Sequence, residues 1–386
     1  MNLPTPSEQL RYFSKRQNQI IDTIQQLVEI ESPSDVKAAV DRLGTVLASR
    51  FGELGGSVKV HHAEKFGNHL QIRFKSPRAR GGKPVLLLGH TDTVYPIGII
   101  SKMPFRVSKG RAWGPGVLDM KGGIALILHV IEALMDWSNG KLPHPVTIFL
   151  VSDEEIGSQS SRAITEKLAR ESAGVLVLEP AHGLNGAVKT SRKGVGDYQL
   201  RVTGKAAHSG LDFEKGQSAV IELAHQILNI SELVDATRGI TLNVGKINGG
   251  TRVNVVPAEA SASIDVRVTK MRDASEVEKR LRAMRAVNAN CKLKLTGGIN
   301  RPPMERTPVV AALYAKASAV ANALGWKLDE AAVGGGSDGN FTAALGIPTL
   351  DGLGVVGEGA HAEHESILIS ELPRRAALLA GLIARV

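Results

Sequence analysis

Two strand-length runs of almost wholly apolar residues, 85–88 and 146–151, constrain the fold of this chain more than any other feature. A strand with one face in water alternates apolar and polar residues, whereas an uninterrupted run predicts a strand covered on both faces. Helices that connect parallel strands provide such cover, and the apolar segment 121–135 is one candidate. Further strand signals lie at 57–61, 70–74, 175–179 and 348–353. We therefore predict an α/β fold with a mostly parallel, helix-covered sheet.

The middle of the chain has a different pattern from its two ends. Near the ends, helices are expected at 20–28, from Ser34 as N-cap to about Leu54, at 308–324 and at 371–385. From about residue 193, alternating strand patterns at 198–202, 241–244 and 260–268 mix with helical patterns at 217–233 and 273–287. A length of 386 residues favours two domains. We predict a discontinuous domain, 1–192 and 301–386, that holds an α+β insert, 193–300.

Composition argues against several classes of function. The net charge of +9 is spread along the chain without a long basic run or interleaved aromatic residues, so nucleic-acid binding is not expected. The longest apolar run, 124–134, contains His129 and Glu132 and falls short of the ~20 residues of a membrane span. The N-terminal segment lacks the apolar core of a secretory signal, so we expect a cytoplasmic location. The single cysteine, Cys291, excludes an internal disulfide and a thiolate metal cage.

Polar side chains follow three predicted strands at the points where the strands end. His90 and Asp92 follow the first apolar run, Glu154 and Glu155 follow the second, and Glu179 ends the strand 175–179. In parallel sheets, functional side chains gather just beyond the carboxyl ends of strands. Without cysteine, zinc takes imidazole nitrogens and carboxylate oxygens, and two zinc ions ~3.5–4 Å apart need a shared carboxylate with further ligands on each side.

The residues near these strand ends suggest a two-metal site. Asp92 stands two residues after His90, where its carboxylate can hold the second ring nitrogen. Asp119 lies in a glycine-rich turn that opens an apolar helix, a suitable place for a bridging carboxylate. Of the adjacent Glu154 and Glu155, one can ligate while the other takes a proton from metal-bound water. The candidates are His90, Asp92, Asp119, Glu154, Glu155, Glu179 and His361.

Eight sequence blocks, in order along nearly the whole chain, resemble the aminoacylase, acetylornithine deacetylase and glutamate carboxypeptidase family of zinc-dependent hydrolases. The blocks are GHTDTVYP (89–96), GPGVLDMKGG (114–123), SDEEIGS (152–158), LEP (178–180), GKAAHSG (204–210), GGTRVNVVPAEA (249–260), GGGSDGN (334–340) and GAHAEHE (359–365). The resemblance implies a zinc-exopeptidase-like catalytic domain with two Zn²⁺ per subunit, or Co²⁺ or Mn²⁺ in their place. It also implies that the insert is the dimerisation domain of a homodimer.

The resemblance also implies individual roles. Asp119 would bridge the metals, His90 and Glu179 would complete one site, Glu155 and His361 would complete the other, Glu154 would be the general base and Asp92 the partner of His90. His364 is a rival for the last ligand; we prefer His361 because it follows Gly359 and Ala360 and precedes Glu365 by four positions, as in the family pattern.

The closest likeness is to the folate-type glutamate carboxypeptidases. It implies that His208 reaches the partner's active site to stabilise the oxyanion, and that Arg267, Arg301 and Asn254 bind the carboxylates of a C-terminal glutamate. The expected reaction is hydrolysis of an amide bond in a small peptide or N-acyl amino acid by a zinc-bridging hydroxide, with release of the C-terminal residue. The alternatives are an N-acyl amino acid deacylase of the same family and an inactive dimeric binding protein.

Overall fold

The computed structural model describes residues 4–76 and 82–386. Its helices are α1 (Pro6–Lys15), α2 (Gln17–Val28), α3 (Lys37–Glu53), α4 (Gly122–Trp137), α5 (Arg162–Arg170), α6 (Ala219–Ser231), α7 (Met271–Arg282), α8 (Pro308–Ala323), α9 (Gly339–Ala344) and α10 (Leu372–Ile383). Its strands are β1 (Ser57–His61), β2 (His69–Phe74), β3 (Val85–His90), β4 (Arg106–Ser108), β5 (Arg111–Trp113), β6 (Val146–Val151), β7 (Gly174–Val177), β8 (Val188–Arg192), β9 (Gly194–Thr203), β10 (Thr241–Gly249), β11 (Glu259–Val268), β12 (Lys292–Arg301), β13 (Glu330–Val333), β14 (Thr349–Leu350), β15 (Gly357–Glu358) and β16 (Ser366–Leu368).

The chain forms two compact units. The first consists of Met1–Ser191, Arg306–Val333 and Ser337–Val386, and the second of Arg192–Glu305 with Gly334–Gly336. The predicted insert, 193–300, stops within β12, a strand that the sequence patterns did not indicate. Among the described residues, no helix is long and apolar enough to cross a bilayer.

A six-stranded sheet in the order β1-β2-β6-β3-β7-β14 lies at the centre of the first unit. The four strands β6, β3, β7 and β14 run parallel, and β1 and β2 are antiparallel to their neighbours. In the registers, His90 pairs with Val151 and Leu88 pairs with Val177. The carboxyl ends of β3, β6 and β7 therefore lie side by side.

Helices cover both faces of this sheet, which explains the uninterrupted apolar runs. Successive side chains of a strand point to opposite faces. Val85 and Leu87 belong to a large core cluster that includes residues of α2, α4 and α10, whereas Leu86 and Leu88 belong to a separate cluster with residues of α5. Burying one such side chain contributes about 1.5–3 kcal/mol. The fold is therefore α/β with a mostly parallel, helix-covered sheet, as predicted.

The second unit is an α+β structure built on an antiparallel sheet in the order β10-β11-β9-β12. The inward side chains of β9 and β11 alternate strictly with more exposed ones, and they form one core with residues of α6 and α7. One face of this sheet is thus covered by helices. Cys291 is buried in the same core, and burial raises the pKa of its thiol.

One predicted helix boundary was wrong. Helix α3 begins at Lys37 after Val36 as N-cap, and Ser34 lies before it. The hydroxyl of Ser34 instead donates to the carboxylate of Asp92 at 2.7 Å. Serine is a favourable N-cap residue when only the local sequence is considered, but here its hydroxyl binds a carboxylate that is distant in the sequence. No local pattern reveals such a contact.

Candidate metal centre

Three loops at the carboxyl ends of neighbouring strands bring the candidate ligands together. His90 is the last residue of β3, Glu154 and Glu155 lie in a short helical turn after β6, and Glu179 follows β7 by two residues. Gly123, at the start of α4, allows close packing here, because a Cβ atom would lie 2.2 Å from the carbonyl oxygen of Leu178. The helix can therefore approach the strand end that carries Glu179.

Asp119 lies between two groups of ligands and faces both. Its Oδ1 is 3.0 Å from Nε2 of His90, and its Oδ2 is 3.4 Å from Nε2 of His361. Glu179 Oε1 lies 3.5 Å from the same nitrogen of His90, and Glu155 Oε1 lies 3.2 Å from that of His361. The structure thus brings all five predicted ligands together in two groups that share one carboxylate.

His361 reaches this position through an unusual backbone conformation. Its φ is 64°, in the left-handed region that costs a non-glycine residue about 1–2 kcal/mol. Its side chain is about half exposed, and hydrogen bonds from its ring to the carboxylates of Asp119 and Glu155 raise its pKa to about 10. His364, the alternative ligand, is exposed.

The charges of the site are those expected of groups that would hold a cation. Burial disfavours the charged form of His90, but hydrogen bonds with Asp119, Asp92 and Glu179 raise its pKa well above the usual value. Burial also opposes ionisation of Asp119, yet hydrogen bonds with His361 and His90 keep its pKa low. Burial raises the pKa of Glu155. Protons on the histidines here neutralise the clustered carboxylates, a task that metal ions can take over.

The donor set itself fits zinc. One donor atom from each of His90, Asp119 and Glu155 lies within 4.8 Å of the other two, and the same is true of His90, Glu154 and Glu179. The buried Oε1 of Glu155 has no hydrogen-bond partner among the described residues apart from the approach of His361. Two imidazoles and several carboxylates, without sulfur, are a suitable set for Zn²⁺ and also accept Co²⁺ or Mn²⁺.

Asp92 makes contacts other than the expected one. The Nδ1 atom of His90 lies 2.9 Å from the backbone carbonyl of Asp92, whereas the nearest carboxylate oxygen is 3.5 Å away. The carboxylate accepts the backbone N–H groups of Glu154 at 3.3 Å and Glu155 at 3.2 Å, and the hydroxyl of Ser34. The carbonyl and the carboxylate of Asp92 therefore both lie at Nδ1 of His90, with the carbonyl making the shorter contact, and the carboxylate also holds the glutamate turn.

The other predicted site residues lie in the second unit. His208 is exposed, and its Nδ1 accepts the backbone N–H groups of Gly210 and Leu211, both at 3.1 Å. Asn254 is also exposed, and its carbonyl accepts the backbone N–H of Ser209 at 3.1 Å, so the two predicted residues lie on adjacent segments.

The two predicted carboxylate-binding arginines differ from each other. Arg267 forms a forked ion pair with Asp265, two positions before it on β11, with contacts of 2.9 to 3.1 Å. Arg301, at the end of β12, is 6% exposed and packs against Gly336. The guanidinium of Arg267 therefore already has a carboxylate partner within the chain.

Several buried polar residues around the site were given no role from the sequence. Glu365 contacts the turn that carries Asp119, and buried Lys121 donates to the carbonyl of Ile30 at 2.8 Å while burial lowers its pKa to about 7. Asp153 accepts the N–H and the hydroxyl of Ser160, both at 2.7 Å. Lys121, Asp153 and Glu365 lie within the blocks GPGVLDMKGG, SDEEIGS and GAHAEHE, and this is the signal that the sequence offers for them.

Comparisons with known proteins agree with this geometry. The model of peptidase family M20/M25/M40 matches residues 86–385. Carboxypeptidase G2 of Pseudomonas sp. (strain RS-16) is 32% identical over 372 residues, which cover 94% of this chain and 88% of that enzyme. Acetylornithine deacetylase of Proteus mirabilis (strain HI4320) is 31% identical over 268 residues, 64% of this chain and 66% of that enzyme. The crystal structure of aminopeptidase PepT from Bacillus cereus has the same fold, with a TM-score of 0.80 at 22% identity over 95% of this chain and 98% of that one. The chain belongs to peptidase family M20/M25/M40, whose members are metal-dependent hydrolases of peptide and amide bonds.

Proposed function

We propose that this protein is a two-metal carboxypeptidase that releases a C-terminal amino acid, glutamate, from a small peptide or an N-acyl conjugate. The observation that carries the proposal is the position of Asp119 between the groups His90 with Glu179 and Glu155 with His361. A single carboxylate with one oxygen toward each of two ligand groups is the arrangement that a pair of metal ions requires. The similarity to carboxypeptidase G2 supports the choice of a carboxypeptidase.

Glu154 is the proposed general base. Two metal ions bound here would lower the pKa of a shared water and polarise the carbonyl group of the substrate. The carboxylate of Glu154 has an oxygen within 4.8 Å of donor atoms of His90 and Glu179, which supports its role as the base for a water that metal ions held by these ligands would activate. Glu154 accepts the proton of the attacking water and then delivers it to the departing nitrogen, which balances the reaction.

His208 is the proposed donor to the oxyanion. Because its Nδ1 accepts two backbone N–H groups, the ring proton of the neutral imidazole must reside on Nε2. That atom is therefore a hydrogen-bond donor on an exposed side chain, as oxyanion stabilisation requires. In our proposal, His208 serves the active site of the partner subunit.

A homodimer formed through the second unit accords with the surface of that unit. Strand β10 lies at the end of its sheet and is largely exposed. Ile247 on this strand is 58% exposed, and Ile221 and Leu228 on α6 are 60% and 64% exposed. An open strand edge beside exposed aliphatic side chains can pair with a second copy by β-augmentation and apolar contact.

Mixing two inactive variants tests the shared site. His208→Ala lacks the donor, and Glu154→Gln lacks the base, so each homodimer is expected to be inactive. A mixed dimer has one site with both groups, and equal mixing with full exchange restores about a quarter of the parental sites. No recovery after demonstrated subunit exchange would contradict a role for His208 across the dimer.

The assignment of glutamate rests on Arg267, Arg301 and Asn254 together. A guanidinium binds a carboxylate through two charge-assisted hydrogen bonds. Arg267 already makes such bonds with Asp265, so a substrate carboxylate would have to compete for it. We propose that Arg301 and Arg267 bind the carboxylates of the substrate, with Asn254 as a neutral partner.

The test of the proposed function is a panel of substrates with chelated protein before and after zinc is restored. The panel contains folate, C-terminal glutamyl dipeptides, N-acyl glutamates, acetylornithine and other acetyl amino acids. Zinc-dependent release of free glutamate is the expected result. Turnover of acetyl amino acids alone would establish the second candidate, an N-acyl amino acid deacylase, which the similarity to acetylornithine deacetylase favours. A protein that binds zinc but is silent across the panel would revive the third possibility, an inactive dimeric binding protein.

A further inference from the structure

Glu365 is completely buried, although its side chain is an acid in an irregular segment between β15 and β16. Its Oε1 accepts the backbone N–H groups of Leu118 at 2.8 Å and Asp119 at 2.9 Å. Its Oε2 accepts the backbone N–H of Gly116 at 2.9 Å and the hydroxyl of Tyr95 at 2.6 Å. Four donors saturate a carboxylate, which offsets the cost of burying its charge.

These four contacts join three segments that carry candidate metal ligands. Tyr95 follows His90 by five positions, the turn 116–119 contains Asp119, and Glu365 itself follows His361 by four positions. The carboxylate of Glu365 is 246 positions from Asp119 along the chain yet holds the amide of that residue directly. We propose that Glu365 is a positioning residue of the metal centre: its carboxylate fixes the turn 116–119 so that Asp119 presents one oxygen to each metal ion. The inference rests on the two-metal site of the proposed function.

The geometry explains why this turn needs support. Asp119 is useful as a bridge only if Oδ1 stays near His90 and Oδ2 stays near His361, as the distances of 3.0 and 3.4 Å require. Rotation of the backbone at Asp119 moves both oxygens together, because they belong to one planar group. Loss of a contact between Glu365 and this turn, at the amide of either Gly116 or Asp119, is therefore expected to weaken both metal-binding steps. Loss of a ligand that belongs to only one of the two groups, such as His361, should mainly weaken one of the two metal-binding steps.

Glu365→Gln is the informative substitution. Both oxygens of Glu365 accept hydrogen bonds from backbone N–H groups. In either orientation of a glutamine, its NH₂ group therefore faces at least one backbone N–H and cannot accept from it. The better orientation keeps the contacts with Leu118 and Asp119 and loses the contact with Gly116. Groups that orient metal ligands typically change metal affinity by about 10- to 100-fold when they are replaced, and we expect a loss in this range for both steps. Glu363→Gln is the matched control, because Glu363 is exposed on the same segment.

The experiment measures zinc affinity directly rather than through activity. Chelated parent, Glu365→Gln and Glu363→Gln proteins are titrated with Zn²⁺ in competition with a chelating indicator, and thermal unfolding of each metal-free protein is recorded alongside. The visible spectrum of the Co²⁺-loaded proteins reports the ligand geometry independently. The expected result is weaker binding in both steps and an altered Co²⁺ spectrum for Glu365→Gln alone, with a folded metal-free protein. Parental affinity in both steps, or weakening of only one, overturns the inference.

A second variant covers the case in which Glu365→Gln does not fold. Tyr95→Phe removes one neutral donor of the four and leaves the backbone contacts of Glu365 in place. It is expected to weaken both zinc-binding steps by about two- to tenfold. Unchanged binding in Tyr95→Phe would then reject the role of Glu365. If the parent protein itself binds no zinc, the proposed function fails. If the parent binds zinc and Glu365→Gln binds it equally well, only the role of Glu365 fails.

Discussion

Replacement of Asp92 by asparagine should weaken the catalytic centre mainly through the glutamate turn, because the backbone carbonyl of Asp92, which makes the shorter contact with His90, is kept. The carboxylate of Asp92 is fully buried and accepts from the amides of Glu154 and Glu155 and from the hydroxyl of Ser34. Its two oxygens divide these donors, with Glu154 at Oδ1 and the other two at Oδ2. An asparagine NH₂ group in either position therefore faces a backbone N–H that has lost its acceptor.

The size of the effect follows from this count. A hydrogen bond to a charged group contributes about 1.5–3 kcal/mol. The asparagine is expected to place its NH₂ group at the Oδ1 position, because the contact with Glu154 is then lost and the contacts with Glu155 and Ser34 are kept. We expect Asp92→Asn to lower the free energy of unfolding by about 1.5–3 kcal/mol. A change of about 1.36 kcal/mol in the activation free energy corresponds to a factor of ten in rate. If the lost hydrogen bond raises the activation free energy by the same amount, because Glu154 is less well positioned, turnover should fall by roughly 10- to 100-fold.

The assay combines urea unfolding of chelated protein with steady-state kinetics after zinc is restored. Ser34→Ala is the matched control, because it removes one neutral donor of Asp92 and leaves both backbone contacts in place. It should cost about 0.5–1.5 kcal/mol and leave turnover within tenfold of the parent. Parental turnover and stability in Asp92→Asn would refute the reasoning.

Three further changes test other parts of the structure. Glu154→Gln should retain zinc in a metal analysis but lose about 10²–10⁴-fold in turnover, because the base is removed and the five ligands are kept; activity within tenfold of the parent would exclude Glu154 as the base. His69 is buried, and burial lowers its pKa below 6.5, so the unfolded chain takes up a proton that the folded protein resists. Stability should therefore fall as the pH drops through 6.5, and urea unfolding of His69→Gln should show a smaller decline than the parent; equal declines would contradict this. Arg375→Met should destabilise the protein by roughly 3–6 kcal/mol in urea unfolding, because the buried guanidinium donates to the carbonyls of Gly186, Gly352 and Gly354. Arg374→Met is the control, and it should change the free energy of unfolding little because Arg374 is exposed.

The fold class was predictable because it depends on periodicity. Runs such as 146–151 are apolar at successive positions only if both faces of the strand are covered, and the structure has helices on both faces. Strand β12 was missed because its alternating run, residues 292–296, is short and is followed by Gly297 and Gly298, which indicate a turn or a bulge. The short strands of the β15-β16-β5-β4 sheet were missed for a related reason, since strands of two or three residues have no measurable period.

The candidate ligands were also accessible from the sequence, but their contacts were not. His90 and Glu179 follow strands whose ends must be neighbours in a parallel sheet, so their proximity follows from the strand pattern. The pairing of Arg267 with Asp265, by contrast, depends on which side-chain conformers meet on the surface of β11. It changes the expected role of Arg267, although both residues were visible in the sequence.

The sequence by itself determined the α/β architecture, the restriction to nitrogen and oxygen ligands and the residues that lie at the strand ends, because each follows from local composition and order. Only the tertiary structure decided which donors each buried carboxylate accepts. Asp92 holds the turn of Glu154 and Glu155, and Glu365 holds the amide of Asp119. The physical reason is that a buried charge must find its donors wherever the folded backbone presents them, and these donors lie tens to hundreds of positions away in the chain.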